Sequence, residues 1–230
     1  MQENFLRKEY KYLIQESIYV ELLEKLQKYV VKDVYDKSHI LTVYYDTEDY
    51  RLITRSIEKP MFKEKLRIRS YDPPLDNDDV YVELKKKYKG VVYKNRTKTK
   101  YKDVLHNIYT CEFEDEIMRD EIRNLYDRYG GVFSKIFISC DREYYIGKDD
   151  PSLRITIDTQ LKYRIKDISL KNTEEDKKIE DTIIMEVKAV DALPLWLVNL
   201  LEELHIYRTS YSKVGTAFLM EIERIQNGII

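Results

Sequence analysis

The sequence predicts an α+β fold in which an antiparallel sheet curls toward a barrel beneath peripheral helices. Three observations predict it. Segments of strand character carry apolar residues at one parity and cations, with an occasional carboxylate, at the other, because strand side chains alternate with period two. The pattern recurs along the chain, and a sheet rolled up with its apolar faces outward under helices would collect those charges in one lumen. The connection at Lys89-Gly90 is too short for a crossover, which favours antiparallel neighbours.

The elements follow in order. A strand is expected from Phe5 to Ile14, with Arg7, Glu9 and Lys11 on one face. Leu22, Leu23, Leu26 and Val30 form a stripe at helical spacing, so a helix is expected through Ser17 to Val31. Strands are expected at Ile40 to Tyr45, Phe62 to Ser70, Val80 to Lys87 and Val91 to Lys98. In the second of these, Lys63, Lys65, Arg67 and Arg69 oppose Phe62, Leu66 and Ile68; Glu83, Lys85 and Lys87, then Lys94, Arg96 and Lys98, repeat the arrangement. Lys102 to Tyr129 has helical character and stops at Gly130-Gly131. Strands resume at Val132 to Tyr145, Leu153 to Thr159, Leu161 to Ile165 and Thr182 to Val190, with Asp167 to Asp181 as an exposed loop. Two helices close the chain, from about Pro194 and about Ser212.

At 230 residues the chain is expected to form one domain spanning residues 1–230. Its aromatic and aliphatic content is too rich for disorder. The first residues hold no apolar run resembling a signal peptide, and no stretch is apolar enough to span a bilayer, so a cytoplasmic protein without direct membrane insertion is expected. Cys111 and Cys140 stand far apart and read as buried or incidental thiols. The three histidines, His39, His106 and His205, have no spacing that suggests a metal site. A net charge of −2, with cations concentrated on strand faces, points to a focused local field rather than a generally basic surface. No helix rich in arginine and lysine and no aromatic RNA-binding motif is present, which argues against nucleic acid. There is no G-x-x-x-x-G-K or G-x-G-x-x-G, so side chains rather than a glycine-rich loop must hold phosphates.

The motifs Arg7-Lys8-Glu9-Tyr10-Lys11-Tyr12, Tyr44-Tyr45-Asp46-Thr47, Lys65-Leu66-Arg67-Ile68-Arg69, Glu83-Leu84-Lys85, Lys94-Asn95-Arg96, Leu153-Arg154-Ile155-Thr156-Ile157-Asp158, Glu186-Val187-Lys188 and Ser212-Lys213 occur in that order. In this series the chain resembles the VTC domain, the polyphosphate polymerase domain of the vacuolar transporter chaperone complex and a branch of the triphosphate tunnel metalloenzymes. The resemblance runs from residue 5 to about residue 220. It implies an eight-stranded antiparallel β-barrel tunnel with peripheral helices. It further implies that Lys11, Arg67, Arg69, Lys85, Lys94, Arg142, Arg154 and Lys213 bind phosphates in the tunnel, with Lys65, Arg96, Lys188 and Ser212 as supporting contacts. Glu186 would hold Mn²⁺ or Mg²⁺, supported by Glu9 and Glu83. The wider superfamily opens with E-x-E-x-K, whereas Arg7 stands at the first acidic position here, a departure that suits the polymerase branch. An aromatic residue would be more typical where Val214 follows Lys213.

The residue types suit the chemistry. Phosphoryl transfer is achieved mostly by positioning and by neutralising charge on non-bridging oxygens. Arginine forks fix phosphate oxygens in direction, and lysines act as movable point charges. The expected activity is transfer of the γ-phosphoryl of ATP onto inorganic polyphosphate with release of ADP. The alternatives are an inorganic triphosphatase or polyphosphatase using the same site, and a non-catalytic sensor of polyphosphate or inositol phosphates. Export of the polymer would require a separate membrane partner.

Overall fold

The computed structural model describes residues 8–58, 60–89, 91–179, 182–190 and 192–228. Arg7 and Gly90 lie outside the described residues. The first strand, β1 (Lys8–Ile14), is followed by helix α1 (Glu16–Leu26), which buries Leu22 and Leu26 one turn apart. The helix ends five residues before the expected Val31. From Val30 the chain is already extended as β2 (Val30–Asp46), a 17-residue strand rather than the short one expected at Ile40. Val30, Val31 and Val34 with Asp33 and Asp36 disfavour helix in this stretch, and that outweighs the apolar stripe at Val30.

An unexpected helix, α2 (Arg51–Glu58), follows. The buried Asp46 carboxylate accepts hydrogen bonds from the backbone N–H groups of Thr47, Leu52 and Ile53 at 2.7, 2.8 and 2.7 Å, and Thr47 Oγ1 accepts one from Arg51 N at 2.9 Å. The pair Asp46-Thr47 thus satisfies donors that a helix start leaves open.

Strands β3 (Phe62–Tyr71), β4 (Asp79–Tyr88) and β5 (Val91–Lys100) form an antiparallel group. The expected single middle helix is two, α3 (Tyr101–Thr110) and α4 (Glu116–Tyr129). Cys111 takes a left-handed conformation (φ 58°) and ends the first; Asp115 caps the second by accepting from Met118 N at 3.0 Å, and Gly130 (φ 75°) stops it. Then come β6 (Phe133–Gly147), β7 (Arg154–Arg164), β8 (Lys177–Lys178), β9 (Ile183–Ala189), α5 (Leu195–Glu203), β10 (Arg208–Thr209) and α6 (Lys213–Gln226). The two strands expected at 153–159 and 161–165 are one, with Gln160 at φ 51° inside it.

The strands pair in the order β10-β1-β9-β7-β6-β2-β3-β4-β5, with β8 beside β7. This corrects the expected barrel. There are ten described strands rather than eight, and the path ends at β10 and β5 without closing, so the sheet forms no barrel tunnel. Closure requires the terminal strands to hydrogen-bond each other at a matching tilt and stagger. Alternation of charge and apolar residues does not encode that step, because an open antiparallel sheet with one face covered satisfies it equally well.

The chain divides into two compact units. One comprises Met1–His39, Cys140–Leu161 and Lys178–Tyr211; its core gathers Tyr12, Leu22, Leu26, Ile155, Ile157, Met185, Val187, Leu197 and Leu201. The other comprises Ile40–Ser139, Lys162–Lys177 and Ser212–Ile230, with a core of Leu41, Val43, Leu66, Ile68, Val82, Leu84, Val104, Ile108, Met118, Ile122 and Leu125. Glu64 also points to this apolar side of β3, where Arg128 of α4 holds it at 2.8 Å. Both cysteines are buried, and neither forms a disulfide.

Candidate functional site

In the second unit, β3, β4 and β5 align their charged residues in rows. Directly opposed residues on antiparallel strands share a face, so each row is a set of neighbours. One row is Lys65, Lys85 and Lys94; the next is Arg67, Glu83 and Arg96; beside it Arg69 opposes Tyr81. Three lysines abreast are mutually repulsive. Glu83 is the acid at the centre of this region and is 1% exposed. Its Oε2 accepts from Arg67 Nε at 2.7 Å, and its Oε1 lies 2.9 Å from Lys94 Nζ and 3.5 Å from Arg96 Nε; Arg69 NH1 is 4.0 Å from Oε2.

These contacts set the local ionisation. Burial alone would push the Glu83 carboxyl up, but Arg67, Arg69 and Lys94 outweigh it and hold its pKa at about 2. Burial lowers the Lys94 ammonium, with Glu83 opposing that effect. Tyr44, on β2, stands opposite Arg67 and accepts from Arg67 NH1 at 3.1 Å. Burial raises its phenol, yet Arg67, Lys65 and Arg69 together bring it down to about 8. The Arg67 guanidinium is thus fixed on two sides, by Glu83 and by Tyr44. Arg96 lies 3.7 Å over the Tyr81 ring.

The start of α6 joins this region. Ser212 caps the helix, accepting from Gly215 N at 3.2 Å, and its hydroxyl also accepts from Lys65 Nζ at 2.9 Å. Lys213 is the first helical residue. A lysine beside a helix N-terminus is a favourable place for an anion. The structure therefore brings Lys65, Arg67, Arg69, Lys85, Lys94, Arg96, Ser212, Lys213 and Glu83 into one unit.

The remaining expected residues lie in the first unit, where acids and cations are mixed. On β1, β9 and β7 the rows read Glu9, Lys188, Arg154 and Lys11, Glu186, Thr156. Lys11 Nζ is 3.1 Å from Glu186 Oε1 and 3.6 Å from Glu9 Oε1, and donates to Tyr211 O at 3.4 Å. Arg142 forms a two-pronged pair with the buried Asp158, at 2.5 and 2.6 Å. Burial works against the Arg142 charge, but Asp158 and Glu186 hold its pKa well above the usual arginine value. Arg154 pairs with Asp33 at 2.6 Å. Among the described residues no group of three or more His, Cys, Asp or Glu side chains gathers as a metal cage. Glu9 and Glu186, on either side of the Lys11 ammonium, are the carboxylates here that suit a hard cation; such an ion needs only one or two of them when phosphate and water complete its shell.

Tyr44 is the site residue that sequence reasoning missed. The sequence assigns it no role, and its partner is legible only once the register of β2 on β3 sets it opposite Arg67.

Comparison with curated proteins gives no match. Among solved structures, a candidate adenylate cyclase from Bacillus halodurans is similar over 90% of this chain and 95% of its own, at 13% identity and a TM-score of 0.58, which establishes a shared fold. A candidate adenylate cyclase from Vibrio parahaemolyticus aligns over 92% and 97% at 12% identity and 0.46, and a chain of the Schizosaccharomyces pombe Mediator head module over 86% and 90% at 12% identity and 0.45. The sequence profile of the VTC domain matches residues 6–220. With nearly the whole chain covered by that profile, the protein belongs to the VTC domain family.

Proposed function

We propose that this protein transfers the γ-phosphoryl group of ATP onto inorganic polyphosphate and releases ADP. Family membership supports an enzymatic role on polyphosphate or nucleotides in general terms, and members of the family are generally metal-dependent. The observation that carries the finer reading is the row Lys65, Lys85, Lys94 beside Arg67, Glu83 and Arg96. A face that sets like charges side by side, with Glu83 buried at its centre, is stabilised by an added polyanion.

In this reading an oxygen of the acceptor's terminal phosphate attacks the γ-phosphorus in line. The bond from that phosphorus to the β–γ bridging oxygen breaks, and ADP leaves with the electron pair. Arg67, held by Glu83 and Tyr44, keeps a fixed direction toward phosphate oxygens, as a clamp requires. Lys65 and Lys213 flank the α6 N-terminus, and Lys85 and Lys94 extend the cationic row. Mn²⁺ or Mg²⁺ held by Glu186 with Glu9 would supply further neutralisation of phosphate charge.

Incubation with ATP and Mn²⁺, followed by phosphorus NMR, tests this. Polyphosphate resonances with matching ADP support the proposal. Orthophosphate alone makes the protein a hydrolase, and retained polyphosphate binding without turnover makes it a binding module; either result overturns the polymerase reading.

A further inference from the structure

The charged face of β3-β4-β5 changes character along its length. It begins with the row Lys65, Lys85, Lys94 and continues with Arg67, Glu83, Arg96. Beyond these the same face turns aromatic. Tyr81 opposes Arg69 and Lys98, and Tyr71 follows Arg69 by two residues on β3, so it points to the same side. The two rings meet edge to face at 5.8 Å. The Arg96 guanidinium joins them: it lies 3.7 Å over the Tyr81 ring and 5.7 Å from the centre of the Tyr71 ring, and its NH2 donates to the Tyr71 hydroxyl at 3.2 Å. Tyr71 is 38% exposed and the Arg96 side chain 34%, so this fixed ring and guanidinium stay open to solvent.

The balance of charge shifts over the same distance. The connection from β3 to β4 carries Asp72, Asp76 and Asp78, and Asp79 opens β4. The cations at this end, Lys98 and Lys100, are both taken by Asp79, at 2.9 and 2.7 Å. A phosphate is therefore drawn toward the lysine row and away from the rings, whereas an uncharged planar group meets no such penalty beside Tyr71.

We propose that Tyr71 and Arg96 form the platform on which the base of a nucleoside triphosphate stacks, with its phosphates running toward the lysine row. Aromatic rings and guanidinium planes both accept a stacked base. Tyr81 lies behind Arg96 and acts as a positioning residue, holding the guanidinium over its ring. Tyr81 is four residues from Lys85 on β4, about 14 Å at the usual rise of a strand, which leaves room for a ribose and its phosphates between the two. A bare phosphate chain has no apolar surface with which to cover the rings; a nucleobase covers them and leaves its charged part among the cations. The inference rests on the phosphate-transfer reading and places the nucleoside of its donor.

Calorimetric titration with ATP and, separately, with tripolyphosphate tests it, both without metal. Tyr71→Leu keeps an apolar side chain but removes the ring; it should weaken ATP binding roughly five- to a hundredfold, the scale of one stacked base, and leave tripolyphosphate affinity as in wild type. Tyr71→Phe keeps the ring and should bind ATP nearly as wild type does. Tripolyphosphate binding also reports that each variant is folded. In wild type, saturation-transfer NMR should carry magnetisation from tyrosine rings to the adenine protons of ATP, and its absence overturns the inference. Equal ATP affinity in wild type and Tyr71→Leu overturns it too, while leaving the transfer reading in place. So does an equal loss of ATP and tripolyphosphate, which would make Tyr71 a support of the phosphate site, or a loss in Tyr71→Phe as large as in Tyr71→Leu, which would assign the effect to the hydroxyl. Wild-type protein that binds neither ligand removes the transfer reading and this inference together.

Discussion

Glu83→Gln isolates the role of the buried acid. The side chain keeps its shape and one oxygen acceptor but loses the charge that balances Arg67, Arg69, Lys94 and Arg96. In the folded protein the Glu83 pKa stands at about 2, below its ordinary value of 4.5. At 1.36 kcal/mol per unit, the difference corresponds to about 3 kcal/mol of preference for the charged form. Because the folded value is the depressed one, that stability is fully present above pH 4.5 and is lost as pH falls toward 2. The Gln variant should therefore be less stable by about 3 kcal/mol at pH 7, and the gap should narrow as the pH is lowered through that window. Tripolyphosphate should restore more stability to the variant than to wild type, since the ligand supplies the missing negative charge. Urea unfolding at neutral and acidic pH, with and without tripolyphosphate, reads all three effects. If the variant matches wild type at pH 7, Glu83 is not the counter-charge and the electrostatic account of this face is wrong.

The other expectations concern binding and turnover. Arg67→Ala should weaken tripolyphosphate binding by roughly ten- to a hundredfold in calorimetric titration, the scale of losing a charge-assisted hydrogen bond; unchanged affinity would remove Arg67 from the phosphate site. Tripolyphosphate affinity should fall as pH rises through about 8, where Tyr44 becomes phenolate and adds negative charge beside Arg67. Tyr44→Phe should flatten that step, and a step persisting in the variant would trace it to another group. Glu186→Gln should abolish metal-dependent ADP release while leaving metal-free tripolyphosphate binding intact or stronger. Wild-type metal dependence in that variant would pass the role to another carboxylate.

The strands carrying the site were legible because their signal is local. In β3, Lys63 to Arg69 alternate with Leu66 and Ile68, and a period of two is readable without knowledge of any partner. Helix α4 was equally visible through Met118, Ile122 and Leu125, whereas the break at Cys111 was not, since a left-handed residue other than glycine leaves no compositional mark. Helix α2 was missed although Asp46 and Thr47 accept from its first backbone N–H groups, because no apolar stripe accompanies that pair in the sequence.

By itself the sequence determined an antiparallel sheet with helices, the charged faces of β3, β4 and β5, and a resemblance to the VTC domain, whose profile matches residues 6–220. It could not determine closure. Whether an alternating sheet curls shut depends on twist, stagger and the fate of its last strands, which are properties of the assembled ladder; here the path stays open between β10 and β5. Nor could it determine which charges compensate each other. Lys85 and Lys94 stand side by side while Lys11 faces Glu186, and both facts follow from register, a relation between residues far apart in the chain. Tertiary structure alone therefore decided that Lys11 meets Glu186 while Lys188 stands beside Arg154, and that a row of three lysines lies beside the buried Glu83.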